Sequence, residues 1–240
     1  MLLVGLTGGI ASGKSTVSKA LREEGQAVVD CDAIAHAVTA RGRWGFKRIV
    51  RAFGADCLTP EGEIDREKLG RLIFNSPVER RKLNAATHLP VGMELLRLVL
   101  WHWTKCTRVL YIDMPLLFET GAYKWMARNV VVLVDQDMQV SRLQARDQIT
   151  TEAALSKVKA QMPVESKAAR ADHVIDNRGS VEQTKSQVSS LVQKLRSDTS
   201  SYLHVLISPP GLCLMAVFLA AIGSEWGGKD GAKPQGMRIV

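Results

Sequence analysis

A glycine-rich run near the amino terminus has the residue types and spacing of a phosphate-binding loop. It follows an apolar stretch, Leu2 to Leu6, and opens a helical pattern at Lys14, which is the context that such a loop requires. Glycines let backbone amides turn inward, Lys14 supplies a cation for the β- and γ-phosphates, and the Ser15 hydroxyl is a ligand for Mg²⁺. The sequence therefore predicts binding of ATP or GTP. The loop residues are Gly8, Gly9, Ile10, Ala11, Ser12, Gly13, Lys14, Ser15 and Thr16.

Two aspartates directly after the second apolar stretch are candidates for a general base. Asp30 and Asp32 follow Gln26 to Val29, which has the pattern of a buried strand. Side chains at the carboxyl ends of parallel strands project into the crevice where ligands bind, so either carboxylate could accept a hydroxyl proton there. The alternative is an aspartate that caps the next predicted helix, Ala33 to Ala40.

Arg142 and Arg146 lie four residues apart and therefore share one face of a predicted helix. From that face an arginine can stabilise charge on the transferring phosphoryl oxygens, or clamp a nucleotide as part of a mobile lid at about residues 142–162. The alternative is a solvated basic face that pairs with Asp147 or Glu152. Of the two arginines, we favour Arg146 as the catalytic one.

Four further residues have both a functional and a structural interpretation. Asp113 ends the third predicted strand, where an acidic residue either supports Mg²⁺ or is solvated. Leu116 and Leu117 either line a pocket for the phosphoryl acceptor or belong to the core. Asn177 follows the last predicted strand, where it either borders the nucleotide's adenine or makes a turn.

Five short apolar, mostly β-branched runs indicate an α/β fold with buried parallel strands. They are Leu2 to Leu6, Gln26 to Val29, Val109 to Ile112, Val130 to Val134 and His173 to Ile175. Helical patterns fill the roughly 75 residues between the second and third runs, including separate helices at Pro77 to Thr87 and Val91 to Trp103. We predict a doubly wound, five-stranded parallel sheet with helices on both faces, a helical insertion over about residues 33–105, and one folded domain over residues 1–200.

The composition is that of a globular chain with one core, since 46% of the 240 residues are apolar and 23% are charged. The formal charge of +8 favours polyanionic partners. Nucleic acid is not among those we expect, because the few aromatic residues do not alternate with basic runs and no recognition motif is present. The four cysteines have no metal-ligand spacing, which indicates reduced thiols. No obligate protein partner is implied.

The carboxyl-terminal residues, 201–240, form a separate hydrophobic tail with a flexible end. From Thr199 to Ser224 there is no Asp, Glu, Lys or Arg. A bilayer-spanning helix needs about 20 apolar residues, a length that residues 203–223 reach only by including Pro209 and Pro210. Three interpretations remain: an anchor in an organelle membrane, a helix that packs within the protein or a dimer, and a disordered tail. Because the amino terminus lacks the basic region of a secretion signal, we expect an intracellular protein on the cytoplasmic face.

Several spaced segments beyond the phosphate loop resemble the dephospho-CoA kinase family. The resemblance covers about residues 1–196 and is more specific than the loop alone. It implies a P-loop kinase fold and ATP-dependent phosphorylation of the ribose 3′-hydroxyl of dephospho-CoA, the last step of coenzyme A biosynthesis. The segments are Leu3 to Thr16, Asp30 to Ala35, Gly62 to Gly70 with Phe74, Leu83-Asn84 with His88, Pro115 to Glu119, Arg142-Leu143 with Arg146-Asp147, Gln161, and Ala171 to Asn177.

The resemblance also implies roles for individual residues. Asp32 is then the base that takes or orients the 3′-hydroxyl proton, and Lys14 with the loop amides holds the γ-phosphate. His88 falls in the helical region that binds the acceptor, although this chain has His88-Leu89-Pro90 where the family commonly has His-Pro. The expected protein is a stand-alone kinase of the eukaryotic type that carries a carboxyl-terminal extension.

Two other functions remain compatible with the phosphate loop. One is a P-loop kinase that phosphorylates a nucleoside monophosphate or another small hydroxylated metabolite. The other is a membrane-associated nucleotide-binding protein that has lost catalysis, although the presence of Lys14, Ser15, Asp32 and Arg146 argues against that. A GTPase is disfavoured because no NKxD sequence is present.

Overall fold

Five parallel strands form the centre of the fold in the computed structural model, which describes residues 1–198. The order across the sheet is β2-β3-β1-β4-β5, and every neighbouring pair is parallel. This confirms the predicted sheet. In chain order the strands are β1 (Leu2–Gly8), β2 (Ala27–Asp30), β3 (Val109–Asp113), β4 (Arg128–Leu133) and β5 (His173–Asp176).

Helices connect the strands, and several of them begin at residues whose side chains cap the first turn. Asp65 and Ser76 accept hydrogen bonds from the first turns of two helices in the insertion, and Thr150 does so in the predicted lid. The α-helices of the described part are α1 (Lys14–Glu23), α2 (Cys31–Val38), α3 (Trp44–Phe53), α4 (Arg66–Asn75), α5 (Pro77–Thr104), α6 (Gln136–Asp147), α7 (Thr151–Lys159), α8 (Val164–Ala168) and α9 (Val181–Asp198).

The two faces of the sheet are covered by different helices. On one face α1 and α9 bury Leu21 and Leu195 against β1, β3 and β4. On the other face α2 and α5 pack Ile34 and Leu98 against Ile112 of β3. Burial of apolar area on both faces supplies the main driving force for this arrangement. It confirms the doubly wound fold.

The helical insertion between β2 and β3 has a small core of its own. Ile49 of α3, Leu69 of α4 and Ala86 of α5 are buried together with Cys57. The second half of α5 leaves this core and packs on the sheet through Leu95 and its neighbours. One long helix therefore belongs to both the insertion and the sheet.

That helix runs without interruption from Pro77 to Thr104, whereas the sequence predicted two helices separated near residues 88–90. Pro90 lies inside α5 and has no N–H to donate to the carbonyl of Ala86, one helical turn earlier. Arg48 of α3 supplies the missing donor: its Nε donates to the Ala86 carbonyl at 3.1 Å and its Nη2 to the Ala85 carbonyl at 3.0 Å. The predicted break was wrong because the compensating donor is 38 residues from Ala86 in the chain.

We expect Arg48→Met to lower the free energy of unfolding by about 1–3 kcal/mol, because it leaves a buried carbonyl without a donor. The loss should be smaller in a Pro90→Ala background, since alanine restores the backbone N–H. Urea unfolding of the wild type, both single variants and the double variant measures this coupling. Equal losses in the two backgrounds would instead assign the effect of Arg48 to its stacking on Trp44, whose ring centroid lies 5.4 Å from the guanidinium carbon.

The predicted hydrophobic tail, residues 201–240, lies outside the described residues, and so does the candidate anchor at 203–223. Within residues 1–198, no helix combines the length and the apolar character needed to cross a bilayer.

Candidate active site

The phosphate loop connects the central strand β1 to α1, and its conformation requires glycine at one point. Gly13 has φ 84° and immediately precedes α1. A Cβ atom there would also lie 2.1 Å from Nδ2 of Asn177, so the backbone conformation and the close packing both exclude a side chain.

Side chains from the second half of the chain brace this loop. Gln139 of α6 donates from Nε2 to the carbonyl of Ile10 at 2.8 Å, and Oε1 of Gln161 accepts from the Ile10 N–H at 2.9 Å. Nδ2 of Asn177 donates to the carbonyl of Ser12 at 2.8 Å. The shape of the loop therefore depends on the lid region and on the segment after β5.

Asn177 is buried, and both ends of its amide are engaged. While Nδ2 holds Ser12, Oδ1 accepts from the hydroxyl of Thr184 at 2.8 Å. In this conformation the side chain supports the loop. Its contact with an adenine stays a prediction.

Lys14 and Asp113 form an ion pair between the start of α1 and the end of β3. The second carboxylate oxygen of Asp113 accepts from the hydroxyl of Ser18, and both of these residues are buried. Because Asp113 lies beside Leu6 in the sheet register, the pair fixes Lys14 close to the carboxyl end of β1. The cation is thus held where the loop begins its turn into α1.

Ser15 offers a hydroxyl and Asp113 a carboxylate, the kinds of oxygen ligand that Mg²⁺ prefers. Both carboxylate oxygens of Asp113 are already engaged, one by Lys14 and one by Ser18, so its role as a Mg²⁺ ligand stays a prediction. Within residues 1–198 there is no group of three or more His, Cys, Asp or Glu side chains arranged to hold a metal ion. Mg²⁺ usually takes one or two protein ligands together with phosphate oxygens and water, and its binding here stays a prediction.

The two candidate bases have different roles in the structure. Asp30 is the N-cap of α2, and its Oδ1 accepts from the N–H groups of Asp32 at 2.9 Å and Ala33 at 3.1 Å. The Asp32 carboxylate forms no hydrogen bond or ion pair with any residue from 1 to 198. The residue as a whole is exposed, yet partial desolvation of its carboxyl by the surrounding protein raises the pKa of that group. The negative charges of Asp30 and Asp113 raise the pKa further, whereas the positive charge of Lys14 lowers it.

The two arginines of α6 also differ. Nη2 of Arg142 donates to the carbonyl of Asn177 at 3.1 Å, and Nη1 lies 3.6 Å from the position of a Cβ on Gly13, so Arg142 is next to the phosphate loop.

Arg146 is exposed, and its Nε lies 2.7 Å from Oδ1 of Asp147. Hydrogen bonds from Arg146 and Lys157 lower the pKa of Asp147 to about 2. Arg146 thus adopts the ion pair that the sequence left open as its alternative role.

The residues predicted to contact the acceptor are partly separated. Leu117 is fully buried, and its Cδ2 lies 2.6 Å from the position of a Cβ on Gly5, so it packs beneath β1. It belongs to the core, and the prediction that it lines an acceptor pocket was wrong. Leu116 is 43% exposed in the same segment, and His88 is exposed on α5. Both stay candidates.

Three residues that support the site, Gln139, Ser18 and Lys167, are not among those predicted from the sequence. For Lys167 a signal was present, since Val164, Ala168 and Lys167 share the helical spacing of one apolar face. A charged residue on such a face is an unusual feature that points to a buried ion pair. Gln139 and Ser18 gave no comparable signal.

Comparisons with known proteins agree with this geometry. The dephospho-CoA kinase family model matches residues 2–183. A dephospho-CoA kinase from Arabidopsis thaliana is 43% identical over 196 residues, covering 82% of this chain and 84% of the relative. One from Geobacillus kaustophilus is 44% identical over 193 residues, covering 80% of this chain and 96% of the relative. The solved structure of dephospho-CoA kinase from Campylobacter jejuni has a TM-score of 0.61 at 26% identity, covering 80% of this chain and 96% of that one. This chain belongs to the dephospho-CoA kinase family.

Proposed function

We propose that this chain transfers the γ-phosphoryl group of ATP to the ribose 3′-hydroxyl of dephospho-CoA, giving CoA and ADP. Family membership supports the substrates. The observation that carries the chemistry is the carboxylate of Asp32, which has no hydrogen-bond or ion-pair partner in the described part of the chain, has a raised pKa, and lies within electrostatic range of Lys14 at the phosphate loop. A carboxylate kept free of hydrogen bonds beside a phosphate site is suited to accept a proton.

Phosphoryl transfer requires mainly positioning and charge stabilisation, because its transition state spreads negative charge over the transferring oxygens. We assign that stabilisation to the loop amides, to Lys14 and to Arg142. Ser15 and Asp113 would hold Mg²⁺, which when bound neutralises charge on the β- and γ-phosphates. In this structure Arg146 pairs with Asp147, and it would reach the nucleotide only after that pair breaks.

Asp32 accepts or orients the proton of the acceptor hydroxyl. Its location follows from Asp30, which caps α2 and so fixes the turn that carries Asp32. The acceptor is bound by the insertion, over about residues 33–105, where His88 is the candidate for contact, and by residues 115–119, where Leu116 is the candidate. The lid, about residues 142–162, excludes water that would otherwise hydrolyse ATP.

The direct test is product formation by the full chain with ATP and Mg²⁺, offering dephospho-CoA, AMP, CMP, gluconate or water alone as acceptor. We expect CoA to form from dephospho-CoA and no transfer to the other acceptors. Transfer to a different acceptor would refute the substrate assignment while preserving the role of the phosphate loop. Binding of ATP without turnover on any acceptor would refute the assignment of a kinase reaction.

The pKa of Asp32 predicts a pH dependence of both rate and stability. The base must be ionised, so kcat/KM should fall as pH decreases through a pKa above the ordinary aspartate value, and Asp32→Asn should lack that limb. A carboxyl whose pKa is raised by folding stabilises the protein below its unfolded pKa, and this contribution is lost as pH rises through the folded value. At neutral pH, Asp32→Asn should therefore melt at or above the wild-type temperature. A lower Tm for the variant would contradict the raised pKa.

A further inference from the structure

Lys167 of α8 is a fully buried cation that lies outside the set of residues assigned to substrate. Its Nζ is 2.7 Å from Oε1 of Glu119, 3.2 Å from the carbonyl of Pro115 and 3.4 Å from the carbonyl of Gly8. An ammonium group has three hydrogens to donate, and here it has three oxygen acceptors. Burial of a charge is tolerated only with partners of this kind.

The acceptors belong to two segments that the reaction must keep in register. Gly8 begins the phosphate loop, whereas Pro115 and Glu119 belong to residues 115–119, the segment that also carries the exposed Leu116. Lys167 itself follows the lid in the chain. One buried cation therefore joins the phosphate side of the site, its candidate acceptor wall and the segment after the lid.

Neighbouring hydrogen bonds reinforce this junction. The Thr7 hydroxyl also donates to the Pro115 carbonyl at 2.9 Å, and the Met162 N–H donates to Oε1 of Glu119 at 3.2 Å. The two acceptors nearest to Lys167, the Glu119 carboxylate and the Pro115 carbonyl, therefore each accept a second hydrogen bond from another part of the chain. Loss of the cation would leave the Gly8 carbonyl without this partner and the Glu119 carboxylate without its counter-ion.

We propose that Lys167 is a positioning residue that holds the phosphate loop and residues 115–119 at the separation required for in-line phosphoryl transfer. The proposal rests on the proposed function for its catalytic consequence. Displacement of a reacting group by about 1 Å can lower the rate about 100-fold. The contacts of Lys167 can therefore affect the rate measurably although Lys167 does not touch the substrate.

Lys167→Met tests the proposal because methionine keeps most of the length of the side chain and removes its charge and its hydrogen-bond donors. We expect kcat for CoA formation to fall by about 10- to 100-fold. We also expect more than one ADP per CoA, because a misaligned γ-phosphoryl group reacts with water. Partial unfolding alone would lower both products equally and leave this ratio at one. Lys167→Arg should recover much of the rate, and Lys194→Met, at an exposed site on α9, should match the wild type.

Hydrogen–deuterium exchange of the full chain gives a second readout that does not depend on the acceptor. In Lys167→Met, exchange should increase together in residues 8–13 and 114–121 and stay unchanged in α9. If the wild type forms no CoA, the proposed function fails and the exchange result still decides the role of Lys167.

Either of two results overturns the proposal. One is an ADP-to-CoA ratio that stays at one in Lys167→Met, and the other is exchange that does not increase in both residues 8–13 and residues 114–121. Should Lys167→Met not fold, Glu119→Gln takes its place in both measurements. That variant keeps an oxygen acceptor for Lys167 and removes the charge, so the same two changes are expected at smaller amplitude.

Discussion

Asp32→Asn is expected to lower kcat for CoA formation by about 10²- to 10⁴-fold, the range typical of a lost general base. Asparagine keeps the size of the side chain and cannot accept the hydroxyl proton. The affinity for ATP should stay close to the wild-type value, because the loop amides and Lys14 are untouched. CoA formation measured beside calorimetric ATP binding separates the two effects.

Asp30→Asn is the matched control for this experiment. Asparagine caps a helix about as well as aspartate, so α2 should still begin at the same residue and activity should remain near the wild-type level. Near-wild-type transfer by Asp32→Asn would refute the base assignment. An equal loss in Asp30→Asn would show that the local negative charge, rather than the Asp32 carboxylate, is what the reaction requires.

Lys14→Ala should abolish measurable turnover, with a loss in kcat/KM of about 10³-fold or more. It removes the cation for the transferring phosphoryl group and leaves Asp113 buried without its counter-ion. It should also raise the pKa of Asp32 further, since Lys14 is the largest of the charges that oppose the rise. Steady-state kinetics and thermal unfolding should be measured on the same preparation, because both are expected to change.

Two variants separate the chemical loss from the structural one. Asp113→Asn in the Lys14→Ala background removes the uncompensated charge and should restore stability without restoring turnover. Lys19→Ala removes an exposed lysine from the same helix, one whose ion pair with Glu23 spans 3.9 Å, and should change neither quantity. Retention of more than about a tenth of the activity by Lys14→Ala would contradict the assigned role.

The sheet was predictable because its signals are local. A run such as Val130 to Val134 is apolar at every position, and only a parallel strand covered on both faces buries all of it. The continuity of α5 was not predictable, because the rule that proline breaks a helix is local while the Arg48 donor comes from another helix. The residues around Pro90 therefore give no indication that a distant side chain replaces the missing hydrogen bond.

The site divides in the same way. The phosphate loop and Asp32 stand out because their chemistry requires particular residue types at fixed spacing. Leu117 does not, because an apolar side chain after a strand suits the core and a pocket equally, and only the packing against Gly5 decides between them. The supporting role of Asn177 likewise depends on the Ser12 carbonyl, which is 165 residues away in the chain.

The continuity of α5 has a mechanical consequence. Its first half is fixed in the insertion through Leu83 and Ala86, and its second half is fixed to the sheet through Leu95 and Leu98. Pro90 lies between the two halves, where one backbone hydrogen bond is absent and the Arg48 side chain supplies the donor instead. Because one helix is fixed in both layers, we expect that any movement of the insertion relative to the sheet would have to bend α5, and the turn at Pro90 is where we expect it to bend.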